Sequence, residues 1–248
     1  MISLRAPFYR QSRMDLRVAS PRERTLLRSV SIFSDLDGAS VAALERLCVT
    51  RDYPEGAAVV SQDDPGESLY VLVYGRVKVV LYGDSGREII LSMFKSPGDF
   101  FGEMSLLDNQ PRSATVMAAE RSRLLVLSRR DFQAHIESHP RTALRVLTEL
   151  SRRLRQADSV IGNLALLDVY GRLAGKLREL AAVDGEEIED GVLLRQRPTQ
   201  SEIASMIGTS RETVSRALSD LARRGLVVMS GRKLVLRRDF LDGQDRGL

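Results

Sequence analysis

Two helix-start signals, with a glycine just before the second, stand near the C-terminal end of the chain. Thr199 opens the stretch TQSE, in which its hydroxyl and the Glu202 carboxylate can cap each other's backbone N–H. Gly208 then permits a sharp turn, and Thr209 with Glu212 forms a second pattern of the same kind. Residues suited to inner helix faces recur at helical spacing: Ile203, Ala204, Ile207, Val214, Leu218 and Leu221. This arrangement predicts a helix-turn-helix.

Polar residues occupy the outer side of the second predicted helix, near its N-terminal end. With Val214 and Leu218 inward, the outward residues there are Arg211, Glu212, Ser215 and Arg216. Arginine can bind a guanine edge with two hydrogen bonds, and glutamate can accept one from a cytosine amino group. A solvated helix would tolerate the same pattern, with Glu212 holding Arg216 four residues later. The preceding turn, and two strands predicted around Ser230-Gly231 as a β-hairpin wing, favour DNA reading.

A heptad repeat runs from Arg141 to about Leu167. Its two interleaved series are Leu147, Leu154 and Ile161, and Leu150, Ala157 and Leu164. Together they form an a/d seam of nearly three heptads. Such a seam can pack against its own chain or against a second copy. Because strict heptads favour the second arrangement, we expect a parallel homodimer with these six residues at its interface.

The stretch from about Tyr53 to Leu127 is typical of short β-strands. Runs such as SLYVLVYGRVKVVLY alternate apolar and polar residues and are rich in β-branched side chains. Glycines punctuate these runs at regular intervals: Gly56, Gly66, Gly75, Gly83, Gly86 and Gly98. A compact antiparallel barrel or roll is the expected closure.

One segment within this region, FGEMSLLDNQPRSATV, combines groups that suit a sugar phosphate. Gly102 and Glu103 precede a short helical turn whose free backbone N–H groups attract a phosphate. Arg112, with Ser113 beside it after a proline, offers a fork for two phosphate oxygens. Glu103 can accept a hydrogen bond from a ribose hydroxyl. The alternative is an ion pair between Arg112 and Glu103 that joins two strands.

Length and composition exclude several classes. The 248 residues suffice for two domains, and the net charge of +4 does not by itself indicate an anionic partner. The single cysteine, Cys48, excludes a disulfide framework within one chain. We find no nucleophile–base set, P-loop or metal-ligand cluster, so neither an enzyme nor a metal site is predicted. No apolar run is long enough to span a bilayer, so no membrane association is predicted and a cytoplasmic location is expected.

The motifs together resemble those of the catabolite activator and fumarate–nitrate regulator (CRP/FNR) superfamily of bacterial transcription factors, over about Ile32 to Arg237. Residues 101–103 with 111–115 resemble the family's phosphate-binding cassette, residues 161–177 its dimer-helix end and hinge, and SRETVSR its recognition helix. The resemblance is greatest to the catabolite-activator branch. It implies an α+β fold: a cyclic-nucleotide-binding β-roll or jelly roll, a long dimerisation helix and a C-terminal winged helix-turn-helix.

The resemblance also implies domain limits. An Arg-rich, solvated and partly ordered arm is expected over residues 1–28, although its composition is also similar to that of a transit peptide. The sensor domain is expected over residues 29–140, the dimerisation helix over 141–167 and the DNA-binding domain over 168–248. An acidic segment, residues 184–190, is expected to be a solvated loop.

Carried over position by position, the resemblance implies a bound cyclic nucleotide. Gly102, Glu103, Arg112 and Ser113 would hold its ribose and cyclic phosphate. In cAMP-responsive members two hydroxyl residues on the dimer helix contact the adenine, but here Ala157 and Asp158 stand there. Ala157 cannot form a side-chain hydrogen bond, and an ionised Asp158 only accepts. Altered cAMP binding, a guanine-containing ligand such as cyclic di-GMP chosen by Asp158, and ligand-independent regulation all remain open.

The expected function is therefore that of a homodimeric, sequence-specific transcription regulator that binds two-fold-symmetric DNA. Its candidate DNA-contacting residues are Thr199, Ser210, Arg211, Glu212, Ser215 and Arg216. RNA polymerase is the further partner that the resemblance implies. The alternative is a nucleotide-sensing module that regulates a protein partner, but such a module would not require the turn, the helix caps and the wing.

Overall fold

The computed structural model describes residues 17–18 and 25–243. The chain divides into two compact units, one comprising Met1–Gly83 with Ile90–Arg153 and the other Asp84–Ile89 with Leu154–Leu248. Most of the predicted arm lies outside the described residues. None of the helices in the described ranges is long and apolar enough to cross a membrane.

The N-terminal unit is built around two β-sheets, which confirms the predicted antiparallel roll. The strand order is β1-β2-β9-β4-β7 in one sheet and β3-β8-β5-β6 in the other. The strands are Arg17–Val18 (β1), Val49–Tyr53 (β2), Ala58–Val60 (β3), Ser68–Tyr74 (β4), Val77–Tyr82 (β5), Glu88–Phe94 (β6), Phe100–Phe101 (β7), Thr115–Ala118 (β8) and Ser122–Ser128 (β9). Gly75 turns the chain between β4 and β5 at φ +97°, where a Cβ would lie 2.4 Å from Oγ of Ser122. Glycine is therefore required at this corner.

Alternation along the strands places aromatic and branched side chains in the interior of this unit. One cluster includes the strand residues Tyr53, Tyr70 and Phe101, and a second joins strand residues to Phe33 of a 3₁₀ turn and Phe132 of a helix. Helices α1 (Gly38–Leu47), α2 (Glu103–Asp108) and α3 (Arg129–Ser138) belong to the unit, with two 3₁₀ turns at Thr25–Ser29 and Ser31–Phe33.

The folded unit begins earlier than the predicted limit of the arm. Strand β1 pairs with β2, Arg17 opposite Thr50 and Val18 opposite Val49. Leu27 is fully buried in the second cluster. The described residues before position 29 therefore contribute to the sheet and to the core.

Helix α4 spans Pro140–Leu166, within one residue of the predicted limits at each end. Its first position is a proline, whose fixed φ suits the start of a helix. Five of the six residues of the predicted a/d seam are exposed on this helix. Leu147, Leu154 and Ile161 are exposed by 57%, 63% and 63%, and Ala157 and Leu164 are exposed too.

Leu150, the remaining seam residue, also contacts its own chain. It is partly buried against the core cluster of its own N-terminal unit. The place of Leu150 at the dimer interface stays a prediction. Positions i and i+3 differ by about 60° around a helix axis. That rotation is sufficient to turn Leu150 toward the roll while Leu147 faces outward.

The C-terminal unit combines helices with a four-stranded sheet of order β10-β11-β13-β12. Its elements are α5 (Val169–Asp184), β10 (Glu186–Ile188), β11 (Gly191–Leu194), α6 (Gln200–Ile207), α7 (Arg211–Arg223), β12 (Val227–Ser230), β13 (Lys233–Arg237) and α8 (Arg238–Leu241). The acidic segment expected as a loop forms most of the β10–β11 hairpin. It pairs with the apolar strand β11, whose Leu194 is buried in the core of the unit and whose Val192 packs against that core.

The core of this unit confirms the inner helix faces predicted for the helix-turn-helix. Its buried members include Leu173 and Leu177 of α5 together with Ile203, Ala204, Ile207, Val214, Leu218 and Leu221. Leu234, Leu236 and Phe240 close the core from β13 and α8. The two helices are thereby held against a third helix and a sheet.

Candidate nucleic-acid interface and phosphate cassette

The first predicted cap is present at the start of α6. The backbone N–H of Thr199 donates to Oε2 of Glu202 (2.7 Å), and the N–H of Glu202 donates to Oγ1 of Thr199 (3.1 Å). Gly208 ends α6 with φ +68° and ψ +44°, the left-handed conformation that glycine adopts readily. The reciprocal cap and the turn therefore confirm the predicted helix-turn-helix.

The second cap lies one residue later than the sequence predicts. Ser210, not Thr209, is the N-cap of α7, and its Oγ accepts from the N–H of Thr213 at 3.2 Å. Thr209 still belongs to the preceding turn, because its N–H donates to the carbonyl of Ala204 (3.0 Å). Glu212 is consequently the second helical residue of α7 rather than the third, so the predicted box between Thr209 and Glu212 does not form.

Helix α7 presents a polar side at its N-terminal end. Arg211, Glu212 and Arg216 are exposed and Ser215 is partly exposed, while Val214 is buried. Arg216 Nη2 lies 3.5 Å from Oγ1 of Thr213, and no ion pair joins it to Glu212 among the described residues. The Glu212–Arg216 pair of the alternative interpretation, a solvated helix, is therefore absent, and Arg216 remains available to another acceptor.

A β-hairpin follows α7, as predicted, with its turn displaced by one residue. Ser230 pairs with Lys233, so Gly231 and Arg232 form the two-residue loop rather than Ser230 and Gly231. Gly231 has φ +58°, which a two-residue hairpin turn of the common kind requires. The tip of the wing therefore carries an arginine.

Gly102 joins β7 to α2 in the cassette. Its φ is +89°, and a Cβ at this position would lie 2.6 Å from Nη1 of Arg112 and 2.9 Å from the carbonyl oxygen of Ser68. Glycine is needed both for the backbone conformation and for the close approach of the Arg112 side chain. Ser113 is exposed next to Arg112.

Arg112 is buried without an anionic partner. Its residue is 5% exposed, Nη1 donates to the carbonyl of Gly102 (2.9 Å), and Nη2 donates to the carbonyl of Ser68 (2.7 Å). Nε has no partner, and no carboxylate of the described residues lies within 4.0 Å of the guanidinium. Burial lowers the pKa of Arg112. The alternative of an Arg112–Glu103 ion pair is therefore wrong.

Glu103 instead pairs with a residue that the sequence analysis did not single out. Glu103 is 2% exposed, and its Oε1 lies 3.1 Å from Nη1 of Arg153 on helix α4. Its Oε2 has no hydrogen-bond partner among the described residues. Burial raises the pKa of the Glu103 carboxyl, and the positive charge of Arg153 opposes that rise. No sequence signal links these residues, which are 50 positions apart.

Hydrogen bonds and two aromatic rings fix the side chain of Arg153. Its Nη2 donates to the carbonyl of Phe100 (2.7 Å), and its Nε donates to Oε1 of Glu149 (2.8 Å). The guanidinium also lies over the rings of Phe100 and Phe94, 4.8 Å and 5.2 Å from their centroids. These contacts fix its position against the cassette.

Asp158 is an exposed residue on the part of α4 that belongs to the C-terminal unit. Its assignment to an effector base stays a prediction. The structure brings Gly102, Glu103 and Arg112 together in one cassette.

Comparison with known proteins agrees with both sites. Residues 50–139 match the model of the cyclic nucleotide-binding domain, and residues 171–242 match that of the Crp-like helix-turn-helix domain. The chain is 32% identical over 211 residues to a CRP-like cAMP-activated global transcriptional regulator of Mycobacterium tuberculosis, covering 85% of this chain and 94% of that protein. The chain belongs to the CRP/FNR family of bacterial transcription regulators.

Two further members support the family assignment. The cAMP-activated global transcriptional regulator CRP of Salmonella typhimurium is 35% identical over 191 residues, which cover 76% of this chain and 90% of that protein. The structure of CLP, a c-di-GMP responsive global regulator of Xanthomonas campestris, has a TM-score of 0.70 at 27% identity and covers 81% and 99% of the two chains. As a CRP/FNR member, the chain is a DNA-binding transcription regulator, and its relatives are named as regulators rather than as enzymes.

Proposed function

We propose that the chain is a homodimeric regulator whose binding to two-fold-symmetric DNA is controlled by a phosphate-containing effector at the cassette. The buried charge of Arg112 carries this proposal. A buried guanidinium whose hydrogen bonds go only to backbone carbonyls retains an unneutralised charge, which a phosphate would neutralise. Glu103 adds a free carboxylate oxygen, suited to accept from a ribose hydroxyl.

Two cyclic nucleotides are the leading effectors. The relative from Mycobacterium tuberculosis is cAMP-activated by name, and CLP is c-di-GMP responsive by name. The groups proposed for the ribose and phosphate are present here, while Ala157 and Asp158 replace the base-contacting hydroxyls of cAMP-responsive members. An ionised Asp158 suits the adjacent N1–H and N2–H donors of guanine better than the single amino group of adenine.

The exposed apolar residues of α4 support the homodimer. Leu147, Leu154 and Ile161 follow one side of the helix at heptad spacing and are more than half exposed. Two parallel copies would bury these side chains against each other. Each copy would then contribute one α7 to successive major grooves, with Arg211 and Arg216 reading bases. DNA as the target places the action in the cytoplasm, with RNA polymerase as the expected protein partner.

The effector proposal is tested by calorimetric titration of the full chain with cAMP, cGMP and cyclic di-GMP. We expect one of them to bind, and we expect Arg112→Gln to abolish that binding. Arg123→Gln is the matched control, because Arg123 is an arginine of the same unit that pairs with Asp52 outside the cassette. Circular dichroism of both variants checks folding. Full DNA binding by wild-type protein that binds none of the three nucleotides would favour ligand-independent regulation.

A further inference from the structure

The ring of Tyr70 lies beside the buried guanidinium of Arg112. Cζ of Arg112 is 5.7 Å from the centroid of that ring, a distance at which a cation and a ring attract each other. Both residues are buried, Tyr70 with 6% and Arg112 with 5% of its surface exposed. Because water does not screen a contact between buried groups, the negative face of the ring attracts the guanidinium charge more strongly than it would at a surface.

Strand pairing places this ring in the cassette. Tyr70 on β4 is opposite Phe101 on β7, and Phe101 directly precedes Gly102. The carbonyl oxygens that accept from Arg112 are those of Gly102 and Ser68, and Ser68 is the first residue of β4. Strand β4 and the end of β7 therefore supply both the carbonyls and the ring that contact the arginine.

Stacked rings hold Tyr70 in place. The rings of Tyr70 and Phe101 are nearly parallel, with centroids 5.1 Å apart and an interplanar angle of 8°. Phe101 stacks in turn on Phe94 at 5.7 Å and 13°, and Cζ of Arg153 lies 5.2 Å from the Phe94 centroid. The Tyr70 ring is thus one member of a packed series and cannot turn away from Arg112 without disturbing the other rings.

A second arginine over a ring of β4 shows how the charge of Arg112 differs. Cζ of Arg123 lies 5.4 Å from the centroid of the Tyr74 ring, but Arg123 also donates to the carboxylate of Asp52 from Nε and Nη2, both at 2.7 Å. Arg112 has no carboxylate within 4.0 Å among the described residues. The ring and the two carbonyls therefore stabilise the charge of Arg112, as Asp52 does for Arg123.

We propose that the Tyr70 ring partly compensates the charge of Arg112 and thereby lowers the affinity of the cassette for a phosphate-containing effector. The ring stabilises a guanidinium that no anion neutralises. Once a phosphate neutralises the guanidinium, most of that attraction is lost, so the ring stabilises the ligand-free protein more than the complex. This role of Tyr70 rests on the proposed function, because it concerns the effector of the same cassette.

The test changes the charge distribution of the ring while keeping its size. Full-length protein in which trifluorophenylalanine replaces Tyr70 retains a ring whose face is less negative, and Tyr70→Phe is the reference that lacks both the fluorines and the hydroxyl. Relative to Tyr70→Phe, we expect the unfolding equilibrium constant of the fluorinated protein to be about two- to thirtyfold larger, from the usual strength of a contact between a cation and a ring.

The effect on effector binding should have the opposite sign. The ligand is whichever of cAMP, cGMP and cyclic di-GMP binds the wild type most tightly, and its dissociation constant is measured by calorimetry. We expect the fluorinated protein to bind it more tightly than Tyr70→Phe does, by up to the same factor, because fluorination destabilises the ligand-free protein more than the complex.

Two controls separate the charge from the packing of the ring. The same two replacements at Tyr74 should leave nucleotide affinity unaltered, because the charge of Arg123 is paired with Asp52. In Arg112→Gln the cation is gone, so fluorination at Tyr70 should no longer change the unfolding equilibrium constant. Circular dichroism checks that each protein is folded.

Equal unfolding constants for Tyr70→Phe and the fluorinated protein would overturn the proposal, as would unchanged or weaker nucleotide binding by the fluorinated protein. A fluorination effect on stability that persists in Arg112→Gln would also overturn it, because the packing of the ring would then be responsible. In all three cases nucleotide binding by the wild type, and with it the proposed function, would stand. Wild-type protein that binds none of the three nucleotides would contradict the proposed function itself, and the effect of Tyr70 on effector affinity with it.

Discussion

Nη1 of Arg153 lies 3.1 Å from Oε1 of Glu103, so helix α4 and the phosphate cassette share an ion pair within the N-terminal unit. One oxygen of the carboxylate proposed for the effector is thus already bound by the protein, while Oε2 has no partner among the described residues. Arg153 is also fixed by Glu149 and by the Phe100 carbonyl. Any ligand that binds Glu103 would therefore contact the same carboxylate as the helix proposed to form the dimer.

Removing Arg153 should destabilise the protein through the carboxylate that it leaves behind. We expect Arg153→Gln to lower the free energy of unfolding at neutral pH by about 3–5 kcal/mol, the usual cost of leaving a buried charge unpaired. Urea denaturation followed by circular dichroism measures the change. Arg152→Gln is the control, because Arg152 also pairs with Glu149 but is half exposed, and its loss should cost less than about 1 kcal/mol.

The same variant should show a pH dependence of known sign. Burial raises the pKa of Glu103 above its usual value of 4.5, and losing Arg153 should raise it further. The folded protein then binds the proton more tightly than the unfolded chain, so the penalty is full above the raised pKa and disappears below 4.5. The stability difference between Arg153→Gln and wild type should shrink as the pH falls. A difference that is constant with pH would show that the lost packing, not the charge, is responsible.

Arg216 should contribute to sequence preference. It is exposed on α7 and has no carboxylate partner among the described residues. We expect Arg216→Ala to cost about 1–3 kcal/mol on the best operator and to relax the preference at one base position. Arg223→Ala is the comparison, because Arg223 lies in the last turn of α7 and pairs with Asp220 (2.7 Å). Equal losses for Arg216→Ala on operator and random duplexes would assign Arg216 to the backbone instead.

The exposed seam of α4 should hold two copies together. We expect Leu154→Ala to weaken dimerisation by about 2–5 kcal/mol if the side chain is fully buried between copies. Sedimentation across a dilution series measures the dissociation constant. Gln156→Ala changes an exposed residue of the same helix on another side and should leave it unaltered. Leu150→Ala should reduce folding stability, because Leu150 packs on its own roll. An unchanged dimer in Leu154→Ala would place the interface elsewhere.

Acid should destabilise the N-terminal unit through His135. This residue is buried, its ring stacks on that of His139, and its Nε2 lies 3.1 Å from Oγ1 of Thr142. Burial, with a smaller contribution from His139, lowers the pKa of His135 from 6.5 to about 4. The unfolded chain therefore takes up the proton first, and the stability present above pH 6.5 is lost as the pH falls toward 4.

Within that window the loss should reach up to about 1.4 kcal/mol per pH unit. Denaturation of wild type and His135→Gln between pH 7 and pH 4 tests it. The glutamine variant should be less stable at pH 7 but should lose less on acidification. Parallel pH profiles for the two proteins would mean that other groups account for the acid sensitivity.

Much of the DNA-binding unit could be predicted from the sequence, because its signals are local. The cap at Thr199 and the turn at Gly208 each depend on residues within four positions of one another. Their physics, a side chain that satisfies a nearby N–H or a backbone that needs positive φ, requires no distant partner. The second cap is at Ser210 rather than Thr209, because both of these adjacent residues have a hydroxyl that can cap a helix.

The sequence by itself determined the roll, the long α4 and the two facing helices of the C-terminal unit, since apolar periodicity selects which side of each element is buried. Only the tertiary structure decided the partners of long charged side chains. Arg153 pairs with Glu103, the hydrogen bonds of Arg112 go to backbone carbonyls, and Leu150 packs partly on the roll. These contacts depend on which groups the fold brings within a few ångströms from distant segments. At that distance, desolvation makes each buried charge require a particular neighbour. The spacing of residues along the chain does not indicate which neighbour that will be.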